Sequence, residues 1–75
     1  MTWNHRVFKS KEGYSIKEAF YDSKKRLPET ATVDDISPFG ESLDELREVL
    51  TMMLRATFNP VLKFDSKDKI REFKD

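Results

Sequence analysis

Cysteine is absent from the 75 residues. That excludes a disulfide framework, thiolate zinc sites, iron–sulfur clusters and a cysteine nucleophile. Histidine occurs once, as His5, so a metal centre would have to be completed by carboxylates alone, a poor donor set for transition metals. Glycine occurs only at positions 13 and 40, and no phosphate-binding loop or dinucleotide fingerprint is present. A nucleophile elbow and a paired-carboxylate motif are missing as well. No metal, no cofactor and no enzymatic activity are therefore expected. Long apolar runs are also lacking: nothing approaches the roughly 20 residues of a membrane-spanning helix, and residues 1–6 do not offer the apolar stretch of a signal peptide. A soluble, cytoplasmic protein is the expectation.

An excess of charge of one sign is the last absence. Fourteen Lys and Arg balance fourteen Asp and Glu, whereas general nucleic-acid binding normally needs a basic surplus. The distribution is uneven. Residues 1–30 carry +3, residues 31–58 carry −4 and the remainder +1. A basic front and an acidic middle favour self-association or a charged partner. Apolar and charged residues each make up 37% of the chain, which is a lean core under a heavily solvated surface. Ordering a chain of this length costs on the order of 110 kcal/mol of conformational entropy. Burial must be efficient, and pairing two chains into a homodimer would add to it.

Residues 3–9 alternate, with Trp3, His5 and Val7 on one side of a strand and Arg6 and Phe8 on the other. Ser10-Lys11-Glu12-Gly13 reads as a turn, and residues 14–22 as the second strand of a hairpin. After the polar turn 22–26, Leu27 to Val33 gives a third strand that Pro28 confines to an edge or a strand start. Residues 34–42 form a loop from which Phe39 is expected to plug the core. The helix follows. Ser42 is its cap and Glu45 reaches back in the capping-box pattern. Asp44 and Glu45 sit where the helix dipole favours negative charge, and Leu43, Leu46, Leu50, Met53, Leu54 and Thr57 form one stripe that Val49, Met52 and Ala56 widen. Asn59-Pro60 stops it. On this register Leu50→Ala is expected to cost about 2–5 kcal/mol. Val61–Phe64 reads as a fourth strand, giving an α+β fold of order β-β-β-α-β, an antiparallel sheet on one amphipathic helix. The domain is expected to span residues 1–64, with 65–75 a charged tail, frayed or forming a short helix around Ile70 and Phe73.

Among candidate sites, His5 reads as a residue of the sheet surface. Glu18 shares a face with Ile16 and Phe20, so its carboxylate needs a partner such as Arg6 or His5. The basic turn Lys24, Lys25 and Arg26 is either a solubilising feature or a phosphate contact. Trp3, Tyr14, Phe20 and Tyr21 suit core packing better than a base-stacking platform. Met52 and Met53 extend the helix stripe beyond what a small sheet covers, as an adaptable partner surface would. The candidate interaction surface is thus Arg6, Glu18, Lys24, Lys25, Arg26, Met52 and Met53.

The segments WNHRV (3–7), IKEAFYD (16–22), SPFGESLDEL (37–46) and NPVL (59–62) resemble a group of small bacterial proteins without assigned function, and the resemblance reaches residue 64. More coarsely, the element order and the Gly40-Glu41-Ser42-Leu43 helix start are similar to HicB-type antitoxins. That likeness implies a truncated RNase H-like domain that holds a small basic, RNA-cleaving toxin. It departs from the pattern in its strand sequences, and no DNA-binding segment follows. The functional expectation is a binding or regulatory protein acting through protein–protein contact. The alternatives are a nucleic-acid-binding module using the basic hairpin and a stand-alone dimer of unknown ligand.

Overall fold

The computed structural model describes residues 2–22 and 25–74. Thr2–Ser10 (β1) and Gly13–Tyr21 (β2) pair antiparallel along their whole length, from Thr2↔Tyr21 to Ser10↔Gly13. Only Lys11 and Glu12 make the turn. Gly13 closes it at φ 140°, a conformation that a side chain disfavours, which is why glycine stands there.

Thr30–Ala31 (β3) pairs antiparallel with β2. The strand expected over 27–33 is therefore two residues long, because Pro28 has no donor to give the ladder. Its flanks still follow the edge of β2: the N–H groups of Glu29, Thr32 and Ile36 bond the carbonyls of Phe20, Glu18 and Ile16 at 2.9, 2.9 and 2.8 Å.

Leu43–Ala56 is the helix, α1. Ser42 caps it, its hydroxyl accepting from the Glu45 N–H at 3.1 Å. The Glu45 carboxylate reaches back as the sequence implies, but to the N–H of Glu41 at 2.9 Å, one residue beyond the cap. The helix ends at Ala56, and the N–H groups of Thr57, Phe58 and Asn59 tighten the last turn onto the carbonyls of Leu54, Arg55 and Ala56.

Leu62–Phe64 (β4) then lies beside β1, with Leu62 opposite Phe8. The fold is α+β, as the element order implies. The sheet, however, is mixed rather than antiparallel throughout. Helix α1 carries the chain back over the sheet, so β4 runs in the same direction as β1.

The domain also does not stop at residue 64. Ile70–Glu72 forms a fifth strand, β5, antiparallel to β4, where the sequence suggested a frayed or helical tail. A side chain organises this hairpin. Oδ1 of Asp65 accepts from the N–H groups of Lys67 and Lys69 at 2.8 and 3.0 Å, and Oδ2 accepts from Arg71 Nε at 3.2 Å. Asp68 takes φ 60° at the tip, a conformation that Asp tolerates better than most residues. The final order is β3-β2-β1-β4-β5.

Two thin cores result, one on each side of β1. On the side of Phe8, this ring joins Leu62 and Ile70 in a buried cluster, with Leu27 and Ala31 against it, and Phe64 stacks on Phe8 at 5.1 Å between ring centroids. On the side of His5 and Val7, α1 packs on β1 through its buried Met53 and Ala56. His5 is therefore buried rather than on the sheet surface, with the Trp3 ring edge-on to it at 5.4 Å. Trp3 and Tyr14 are themselves exposed, not core residues, and Phe39 lies out in solvent. No helix among the described residues is long and apolar enough to cross a membrane.

Truncating the buried ring, Phe8→Ala, is expected to lower stability by about 3–5 kcal/mol. A urea midpoint equal to wild type would overturn the core assignment. The acid limb offers a second test. Its hydrogen bonds, first from Lys69 and Lys67 and then from Arg71, hold the carboxyl of Asp65 below its ordinary 3.8. A folded pKa lowered in this way gives stability that is full above the unfolded value and is lost as pH falls through the folded one. Asp65→Asn is expected to flatten the loss of stability below pH 3.8, measured as melting temperature against pH. An unchanged acid limb would remove Asp65 from that role.

Candidate protein interface

Helix α1 has more apolar surface than the sheet covers. At about 100° per residue, its apolar positions from Met52 round to Leu54 span roughly 200° of the circumference, twice the usual core-facing stripe. The sheet takes the line of Leu46, Val49, Met53 and Ala56, all buried or half-buried. Ala56 is small, which lets this end of the helix approach β1 closely. Leu43, Leu50 and Leu54 lie about 100° further round and are 61%, 46% and 61% exposed. Phe58, one turn beyond Leu54, is 82% exposed. The stripe read from the sequence thus holds residues of two faces, and Leu50 belongs to the open one. Its truncation removes only half-buried surface, so the cost expected from the sequence is too large.

The start of this face is fixed in place. A Cβ on Gly40 would collide with the backbone of Glu45 and Leu46, so only glycine lets the loop before Ser42 lie this close over the first turn. On the open flank, Asp44 and Arg55 are three turns apart and share one side of the leucines. Asp44 contacts Arg47 at 3.4 Å, whereas Arg55 has no carboxylate partner among the described residues.

The residues singled out from sequence do not form one surface. Met52 is exposed on α1, on the side away from the leucines, while Met53 is buried against the sheet. Glu18 lies opposite His5 in the β1–β2 register, and Arg6 is on the other face. The Glu18 carboxylate makes no ion pair with either; its N–H donates to Thr32 Oγ1 at 3.2 Å. Lys25 pairs with Glu29 at 3.1 Å and Arg26 with Glu72 at 3.5 Å, so both serve contacts within the chain. Lys24 lies outside the described residues.

Arg6 is not a surface residue at all. It is 8% exposed, donating from Nη1 to the Tyr21 hydroxyl at 2.8 Å and from Nη2 to the Pro60 carbonyl at 2.7 Å. Its Nε is buried without a partner. Lys17 stands opposite it on the same face, but is drawn away to the Val33 carbonyl and to Asp35 at 3.1 Å. Asp35 is held below its ordinary pKa by hydrogen bonds from Ser15 and Lys17. No carboxylate among the described residues neutralises Arg6. It acts as a tether between the centre of the sheet and the segment that follows the helix.

Two grooves lie away from the helix leucines. One of about 510 Å³, lined by charged residues that include Glu29, Asp68 and Arg71, runs between residues 25–30 and 68–71. A more apolar one of about 360 Å³ runs between Val7, Tyr14, Ile16 and Val61. Comparison with protein-family models, with curated proteins and with solved structures returned no match.

The Arg6 geometry makes an asymmetric prediction. Tyr21→Phe leaves a buried cation short of an acceptor and is expected to cost about 1–3 kcal/mol. Arg6→Met keeps the packing stem and removes the unneutralised charge, so it is expected to cost less, or to stabilise. Chemical denaturation of the two variants checks the order, and the reverse ranking would show the guanidinium to be a net stabiliser.

Proposed function

We propose that this chain is a small binding protein that acts through protein–protein contact, with the leucine face of α1 as its contact surface. The observation that carries the reading is the line Leu43, Leu50 and Leu54, exposed together on one side of a helix whose other side is already packed, with Phe58 exposed just beyond its C-terminal end. A contiguous apolar surface of this kind, rimmed by charge, marks a protein contact more often than an idle surface. The described residues of the basic turn, the candidates for phosphate contact, support the same reading, because Lys25 and Arg26 are each paired with a carboxylate within the chain. The uneven charge of the chain, +3 over residues 1–30 and −4 over residues 31–58, favours self-association or a charged partner. A cytoplasmic regulator of the antitoxin kind, holding a small basic protein, is the specific form that the resemblance to HicB-type antitoxins favours.

Capture of the tagged chain from its native host, with nuclease present, tests the reading. The expected result is a stoichiometric polypeptide, a second copy or another chain, that is lost when Leu50 and Leu54 are both changed to Asp. Recovery of nucleic acid alone, or of a polypeptide that the double variant still holds, would overturn it.

A further inference from the structure

We infer that the leucine face of α1 is occupied by a second copy of this chain, its helix running antiparallel across a two-fold axis near Leu50. The inference rests on the protein-contact reading above and names the occupant.

Three features of the helix fit one arrangement. The first is spacing. Leu43 and Leu54 are eleven residues apart, just over three turns, so they point nearly the same way from the two ends of a single stripe with Leu50 between them. Reversing the helix lays the stripe on itself: with each Leu43 opposite the second copy's Leu54, the axis falls between Glu48 and Val49 and the two copies of Leu50 flank it, about 4.5 Å apart along the helices. An isologous contact requires a patch complementary to itself in this sense.

The second feature is charge. Asp44 and Arg55 are also eleven residues apart, on the solvent flank of that stripe. The register that seats Leu43 beside the second copy's Leu54 brings the second copy's Arg55 within two residues, about 3 Å along the axis, of Asp44, where it joins Arg47, and does so twice by symmetry. Arg55 has no carboxylate partner within the described chain, so this contact supplies one. Acidic residues occupy the first turn and Arg55 the last. A parallel pair would therefore bring like charges side by side, and like-charge pairs are destabilising. The antiparallel pair opposes unlike charges and also sets the two helix dipoles head to tail.

The third feature is what the contact covers. Leu43, Leu50 and Leu54 are the leucines that the sheet leaves exposed on α1, and Phe58 is exposed just beyond its C-terminal end. Pairing through this face closes the part of the apolar circumference that a five-stranded sheet on the opposite side cannot reach.

Sedimentation equilibrium of the purified full-length chain, from about 1 µM to about 1 mM, tests the inference, with circular dichroism checking that every variant is folded. The wild type is expected to pass from one to two copies per particle within this range. Leu50→Asp, at a half-exposed position that the monomer tolerates, is expected to weaken pairing by about 100-fold or more. Arg55→Asp and Asp44→Arg are each expected to weaken it by about 3- to 10-fold. The double exchange Asp44→Arg with Arg55→Asp is expected to restore pairing towards wild type. It does so although both changes oppose the helix dipole and lower the stability of the monomer, so restoration is not a by-product of better folding. A double exchange weaker than either single change would overturn the antiparallel register. Pairing unaffected by Leu50→Asp would overturn the leucine face as the contact. A chain that stays single at every concentration overturns self-pairing. If it still captures a different polypeptide through Leu50 and Leu54, the protein-contact reading stands without it. If it captures nothing, both fail.

Discussion

Everything in this small molecule hangs on β1, a strand that is buried on both faces. His5, Arg6, Val7 and Phe8 are consecutive and all buried, so the side-chain alternation that usually separates a dry face from a wet one separates two dry faces here. A chain of 75 residues cannot build a thick core on one side of a sheet. It builds two thin ones instead and makes the same strand serve both. Phe8 is the centre of one, meeting Leu62, Ile70 and Phe64. Val7 and His5 face the helix on the other. Arg6, caught between them, is held by a hydroxyl and a carbonyl and not by a carboxylate.

That economy explains the shape of the helix. Because α1 rests mainly on one strand, the sheet meets only a narrow line of it, ending in the small residue Ala56. A broad apolar arc needs a broad floor, and β1 is not one. The leucines left over are the residues on which the functional reading is built. They follow from the same shortage of strands that gave the molecule two thin cores.

Local chemistry was readable from the sequence, and placement was not. The capping of α1 by Ser42 and Glu45, the Gly13 turn and the alternation of β1 all depend on residues within four positions of one another, and each is present. Errors arose where a pattern fits two partners equally well. The helix stripe has a period but no label for which part meets the sheet, so Leu50 was placed inside when Val49 and Ala56 hold that side. Phe39 and Trp3 are large and apolar, yet no local rule says whether another element reaches them. The tail 65–75 read as charged and frayed because its strand depends on one carboxylate, Asp65, folding the chain back through three bonds. The candidate surface suffered in the same way. Met52 and Met53 are neighbours in sequence but point to solvent and to the sheet, and Arg6 is basic yet spent inside the fold. The useful signal was the width of the apolar arc, which was already too large for one small sheet.

The Arg6–Pro60 tether joins groups 54 residues apart, and β4 meets β1 beside it. The hairpin of β1 and β2 can close early on local contacts, but the far edge of β1 must wait for a segment made 54 residues after Arg6. Until then the nascent chain shows an open, apolar strand edge, with an arginine whose acceptor at Pro60 has not yet been made. A charge at that place keeps the unfinished edge hydrated and unattractive to other strands.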